Sequence, residues 1–293
     1  TGGAPARVTT MFAKVRSEVS VGDLLRGLTV HYANDAAIVL AEGLEGSEDA
    51  FSRRMNEFAR EIGMTASRFA NPTGYADGRA RVTAADLRTL IDHIRLRHPD
   101  RYALYALPEF EWNKILQRNK TKYVHEIAGV EGIVLAFDET DGFAAAVSQV
   151  RDGRRVMVIA GGFTRERDRD TAVKALLDAA YSEFTRVTLF PSGVEVGTVR
   201  VFGGRSTRVA VTGAGPISVT LPKGERGDFR LAVVYDGPVP APISEGERIA
   251  SLEVRDGERV YQIIPLVAAA DVPVGDMTAR ARDGLGELLF GWW

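Results

Sequence analysis

The sequence predicts an α+β fold in three parts: helices on an antiparallel sheet over residues 1–187, a small all-β sandwich over 188–273, and an amphipathic helix over 274–293. Three observations predict it. Apolar residues recur at helical spacing in Val21–Leu28, Phe51–Ile62 and Val173–Phe184, around a β-rich pair of runs at 143–160. After Arg186 the chain turns to short β-branched runs punctuated by Gly and Pro. The tail returns to helical spacing and ends LLFGWW.

In order along the chain, Val21, Leu24, Leu25 and Leu28 mark a first helix after a turn-rich opening with Gly2, Gly3 and Pro5. Leu24–Glu42 then contains a short polar turn, Asn34-Asp35, followed by the apolar run Ala36–Ala41. The two polar residues suit a helix N-terminus, and a polar turn on a buried rod equally suits presentation of side chains to a pocket. Both readings stay open on the residues alone. Phe51, Met55, Phe58, Ala59 and Ile62 share one helix face, with Gly63 as the stop. Asn71-Pro72-Thr73-Gly74 is a turn, and Thr83 with Asp86 forms a capping box for a helix that Pro99 closes. Asp152-Gly153 joins the two β runs as a hairpin, and a helix carrying Val173, Leu176, Leu177, Ala180, Tyr181 and Phe184 covers the sheet.

The runs TVRVFG, TRVAVT, ISVTL, RLAVVY, RIASLEV and RVYQIIPLV are separated by Gly- and Pro-containing turns and read as sandwich strands. In the tail, Met277, Ala281, Leu285, Leu288, Leu289 and Trp292 share a face. That segment is too short and too charged to span a bilayer, and it suits either a membrane interface, where Trp is enriched, or docking on the β domain.

Composition narrows the function. A formal charge of −2 gives no electrostatic footing for nucleic acid. The absence of cysteine excludes disulfides and thiolate chemistry, and His31, His93, His98 and His125 lack metal-ligand spacing, so neither a metal nor a cofactor is expected. Thr1–Thr10 has neither the basic start nor the apolar core of an export signal.

The segment LLRGLTVHYANDAAIVLAEGLEGSEDAF resembles the second active-site motif region of the serine D-alanyl-D-alanine carboxypeptidases, the low-molecular-mass penicillin-binding proteins. That motif is Ser-x-Asn followed by Asp-Ala. Here Asn34, Asp35 and Ala36 keep it, while Tyr32 stands in the Ser position and Ala33 in the middle. GVEGIVLAFDETDGF is similar to the Lys-Thr-Gly segment, with Glu131, Gly132, Ile133, Gly142 and Phe143 kept and Val134, Leu135 and Ala136 at the reacting positions. None of the six lysines follows a Ser at the Ser-x-x-Lys spacing. The resemblance extends over Tyr102–Asn113, the helix start at Arg169, TLPKG, YDGPVPAPI and the FGWW end.

The resemblance implies a β-lactamase/transpeptidase-like catalytic domain lacking its N-terminal part, followed by the β domain and an anchoring helix. It also implies a bacterial periplasmic location at the inner-membrane surface, the peptidoglycan stem peptide as partner, and removal of its terminal D-Ala. Since Ser-x-x-Lys would lie upstream of Thr1, a complementing N-terminal segment is a further expected partner. Asn34 is the one catalytic position kept, with the implied role of orienting the substrate amide. Loss of one oxyanion-type donor costs about 10²–10³ in rate and loss of a nucleophile on the order of 10⁶. The expectation is therefore a family member inactive on its own, either a fragment or a pseudoenzyme that binds peptidoglycan or a partner as a scaffold.

Overall fold

A computed structural model of the chain describes residues 9–14, 16–224 and 229–277. It divides into two compact units, Thr1–Ala180 and Tyr181–Trp293.

The first unit opens with three helices, α1 (Val21–His31), α2 (Asn34–Glu45) and α3 (Glu48–Glu61). Ser20 caps α1 by accepting the Asp23 N–H, and Ser47 caps α3 by accepting that of Ala50. The start of α2 differs from the capping expectation. Its N-cap is Ala33, which offers no side-chain bond, and Asn34 is already the first helical residue. Nor is α2 buried all round: Ala36, Ala37 and Ala41 face the core, while Val39 and Leu44 are 41% and 67% exposed. Gly63, at φ 90°, follows α3 as expected.

Thr83 caps α4 (Ala84–Arg97) through the Asp86 N–H. Pro99 then opens the short α5 (Pro99–Tyr102), a position that needs no N–H donor. Strands β1 (Glu109–Trp112) and β2 (Ile115–Arg118) form a hairpin, and α6 (Tyr123–Glu126) leads into an antiparallel sheet in the order β3 (Val130–Asp138), β4 (Gly142–Arg151), β5 (Arg154–Phe163). The Asp152-Gly153 turn joins β4 to β5 with both residues at positive φ, 51° and 71°, the twist a two-residue hairpin requires. Helix α7 (Glu166–Ser182) packs Val173 and Leu177 with Tyr123, Val130, Ala145 and Val147 on one face of the sheet. On the other face Ile133 and Ala146 meet Ile91 and Tyr102. The stripe expected to reach Phe184 stops earlier, because α7 ends at Ser182 and Phe184 begins a strand; Leu176 is 47% exposed.

Gly142 is required where β3 turns into β4. It sits at φ +74°, and a Cβ there would lie 2.4 Å from the Phe163 carbonyl oxygen. We expect Gly142→Ala to destabilise the first unit by about 1–3 kcal/mol through backbone strain. A fall in the urea midpoint at unchanged slope checks this; an unchanged midpoint refutes it.

The second unit contains β6 (Phe184–Phe190), β7 (Gly197–Phe202), β8 (Arg208–Gly213), β9 (Ile217–Pro222), β10 (Phe229–Val234), β11 (Val239–Pro240), β12 (Arg248–Asp256) and β13 (Arg259–Ala268). All six runs expected to be strands are strands. They form a six-stranded sheet, β10-β12-β13-β8-β7-β11, and a two-stranded sheet, β6-β9. Alternate residues such as Val199, Val201, Val209, Val211, Leu252 and Leu266 fill its core. Among the described residues no helix is long and apolar enough to cross a membrane. From residue 278 onward the amphipathic helix expected over 274–293 lies outside the described residues.

Candidate active site

Helix α1 ends on Tyr32 in the left-handed conformation, φ 56° and ψ 41°. For a non-glycine residue that backbone costs on the order of 1–3 kcal/mol, so its surroundings must hold it. They do so through the hydroxyl, whose Oη lies 2.7 Å from Thr121 Oγ1. Positions 32 and 121, 89 residues apart, therefore meet. Burial pushes the Tyr32 hydroxyl up to about 12, and the bond to Thr121 offsets this only in part. At neutral pH it is a protonated hydroxyl, so it cannot act as a base.

The close approach depends on Gly132. A Cβ there would fall 2.4 Å from Thr121 Cβ, so only glycine lets β3 lie against the residue that holds Tyr32.

Asn34 turns the other way, donating from Nδ2 to the Tyr75 hydroxyl at 2.8 Å. Tyr75 is held by the turn read from sequence. Asn71 Oδ1 accepts the Gly74 and Tyr75 N–H groups at 2.7 and 3.1 Å, and Asn71 Nδ2 donates to the Tyr75 carbonyl at 2.9 Å. Asn34 Oδ1 has no protein partner among the described residues. Asp35 anchors the preceding segment, accepting from Thr10 Oγ1 at 2.6 Å and from the Met11 and Ala13 N–H groups at 3.0 Å each.

On β3, Val134 packs in the cluster of Ile91, Tyr102 and Ile133, Leu135 packs against that of Tyr123, and Ala136 is exposed. None of the three offers a charge or a side-chain donor. The nearby cation is Arg169, buried at 3% exposure and close enough to influence the Tyr32 hydroxyl electrostatically. Its guanidinium is already engaged, by Asp170 at 2.8 and 3.1 Å and by Glu166 at 3.0 Å, and lies 5.8 Å from the Phe143 ring centroid. Asp170 also accepts from Tyr123 Oη at 2.5 Å and pairs with Lys122. A guanidinium so committed is a structural ion rather than a receptor for an incoming carboxylate.

The structure thus brings the two sequence-read motif regions together on Thr121, which bonds to Tyr32 and lies against Gly132, and sets Asn34 on a different partner. Thr121 and Tyr75 were not read as site residues from sequence. Their local signals, a polar Asn-Lys-Thr run after β2 and an aromatic after the Asn-Pro-Thr-Gly turn, say where a turn lies and not what it meets. Positions 32–34 and 134–136 hold no serine, cysteine or lysine. The arrangement so built presents hydroxyl and amide groups without an activated nucleophile or base among these positions.

Known proteins share this fold and its two-part order. Residues 2–162 match the family model described as D-alanyl-D-alanine carboxypeptidase, and residues 184–274 match the model of the penicillin-binding protein 5 C-terminal domain. The chain is 29% identical over 275 residues to D-alanyl-D-alanine carboxypeptidase DacD of Escherichia coli, an alignment covering 93% of this chain and 71% of that protein. It is 25% identical to DacF of Bacillus subtilis, over 94% of this chain and 72% of that one. Among solved structures, penicillin binding protein 5 from Haemophilus influenzae superposes with a TM-score of 0.76 at 25% identity, covering 92% of this chain and 79% of that one. With the first model spanning more than half of the residues and the second covering the β sandwich, the chain belongs to the D-alanyl-D-alanine carboxypeptidase family of peptidoglycan metabolism.

Proposed function

We propose that this chain is a non-acylating member of its family that serves in the bacterial cell envelope as a peptidoglycan- or partner-binding scaffold, with its altered motif region closed to the D-Ala-D-Ala terminus of stem peptides. The observation that carries the reading is Tyr32, which stands in the Ser position with its hydroxyl bonded to Thr121, the residue against which Gly132 of β3 lies. An extended peptide laid along an edge strand takes its affinity from main-chain groups of that edge. Here the Tyr32 hydroxyl is already committed to Thr121, beside β3. The losses at positions 32, 134 and 135 would stand whatever precedes Thr1, and each missing donor costs about 10²–10³ in rate. Asn34 is the one retained catalytic position, its free Oδ1 suited to orienting an amide.

The test is direct. Incubated with a fluorescent penicillin and resolved on a denaturing gel, the chain is expected to carry no label, and a labelled band overturns the non-acylating reading. By calorimetry, the unaltered protein should show no saturable heat with a D-Ala-D-Ala peptide. Tyr32→Gly, which removes the plug and suits the left-handed backbone, should bind that peptide measurably. Tight binding by the unaltered chain would show that the cleft is open.

A location in the periplasm at the inner-membrane surface belongs to the same reading, supported by the family and by the apolar face and terminal Trp292-Trp293 of the tail. A complementing segment is favoured by a separate observation. Among the described residues β3 and β5 are both unpaired on their outer edges, and Val39 and Leu44 are exposed on α2.

A further inference from the structure

Helix α3 and the returning segment 68–79 enclose a recess away from the positions discussed so far. The helix contributes Asp49, Ser52, Arg53 and Asn56, which at i, i+3, i+4 and i+7 share one face. Arg68 and Arg79 stand on the opposite wall. The floor is fixed and fully committed. Asn56 Nδ2 donates to the Ser52 and Phe69 carbonyls, both at 2.7 Å, and Asn56 Oδ1 accepts the Phe69 N–H at 2.9 Å. Ser52 Oγ donates to the Glu48 and Ala70 carbonyls at 2.9 and 3.1 Å. Floor groups therefore hold the walls at a set spacing and have little left for a ligand.

The rim is different. Among the described residues, neither the Arg53 nor the Arg68 guanidinium has an ion pair or hydrogen bond, whereas Arg79 donates to Asp77 from Nε at 2.9 Å and Nη2 at 2.7 Å. Three guanidiniums stand against two carboxylates, Asp49 and the Asp77 that Arg79 holds, a local charge of +1 (3 − 2). Two uncommitted forks on separate walls can each take oxygens of one tetrahedral group, whereas a monocarboxylate has only two oxygens to share between them. At about 280 Å³ the recess is just under the range of roughly 300–1,000 Å³ typical of pockets for drug-sized ligands, so it has room for one hydrated oxyanion.

We propose that this recess between α3 and residues 68–79 is a phosphate-binding site, taking a phosphomonoester group through Arg53 and Arg68 with Arg79 as supporting charge. The site is open to solvent, so its affinity is modest and falls with added salt.

The experiment is a titration of the whole chain with sodium phosphate, followed by amide resonances, with sodium acetate at equal ionic strength as the control. Saturable shifts at Asn56 and Phe69 with phosphate, at least tenfold weaker in the double variant Arg53→Gln/Arg68→Gln, are expected. Both arginines are exposed, so the variant keeps the fold, and its penicillin and peptide responses should match the unaltered chain. Unmoved resonances, equal response to acetate, or undiminished binding by the double variant would each overturn the proposal. Sedimentation with phosphatidic acid vesicles against phosphatidylcholine vesicles identifies the source of the phosphate. Pelleting that depends on the two arginines supports a lipid headgroup, and binding of free phosphate without pelleting supports a soluble one.

Discussion

Asp170→Ala should be among the most damaging single substitutions in the first unit. Asp170 is the common partner of a buried group: Tyr123 donates to it, Arg169 donates twice, and Lys122 pairs with it at the edge. Arg169 is 3% exposed and Asp170 6%, so removing the carboxylate leaves a guanidinium with little water and only the exposed Glu166 as counter-ion. Breaking a buried pair from one side costs about 3–5 kcal/mol. For a unit of this size that lowers the unfolding midpoint by roughly 6–20 °C, at about 2–4 °C per kcal/mol. The double variant Arg169→Met/Asp170→Ala should recover much of the loss, since it removes the stranded charge as well. Thermal unfolding followed by circular dichroism decides it. A loss below about 1 kcal/mol for Asp170→Ala would mean that Arg169 finds water, and the cluster would then be a surface network of little energetic weight.

What could be read from the sequence was what is local. The second unit was open to reading strand by strand because β-branched runs such as TRVAVT alternate inward and outward and are cut by Gly and Pro, signals that sit within each strand. The β1-β2 hairpin escaped because its turn residues, Asn113 and Lys114 at φ 49° and 62°, include no glycine. Apolar content alone overstated the burial of α2, since a helix at the rim of a unit exposes Val39 and Leu44 whatever their hydropathy. The site divided the same way. Motif spacing located positions 32–36 and 131–143, but the partners of those positions, Thr121 for Tyr32 and Tyr75 for Asn34, lie 89 and 41 residues away and only the fold supplies them. The pairing of Asp35 with residues 10–13 was likewise out of reach, because a carboxylate at the start of a helix already has a sufficient local explanation.

That pairing carries the second large effect. Burial raises the Asp35 carboxyl, but the Thr10 hydroxyl and the Met11, Ala13 and Ala36 N–H groups outweigh it and hold the group below the ordinary carboxylate range. A group whose folded value is depressed stabilises the protein fully above its unfolded value, about 3.9 for Asp. The contribution fades as pH falls through the lower folded value. Asp35→Ala should therefore cost about 2–4 kcal/mol at pH 7, taking hydrogen bonds to a charged acceptor at roughly 1.5–3 kcal/mol each and non-additive. The gap between native and variant should be flat from pH 7 to about pH 5 and should narrow below about pH 4. Hydrogen exchange at Met11 and Ala13 supplies the local readout, because only Asp35 takes their N–H groups in this segment. Fast exchange there in the variant, with α4 and the β3-β4-β5 sheet unchanged, would assign the loss to the tether that places Asn34 and Tyr32. A gap that stayed constant down to pH 2 would mean that the carboxylate charge contributes nothing and that side-chain packing alone is being measured.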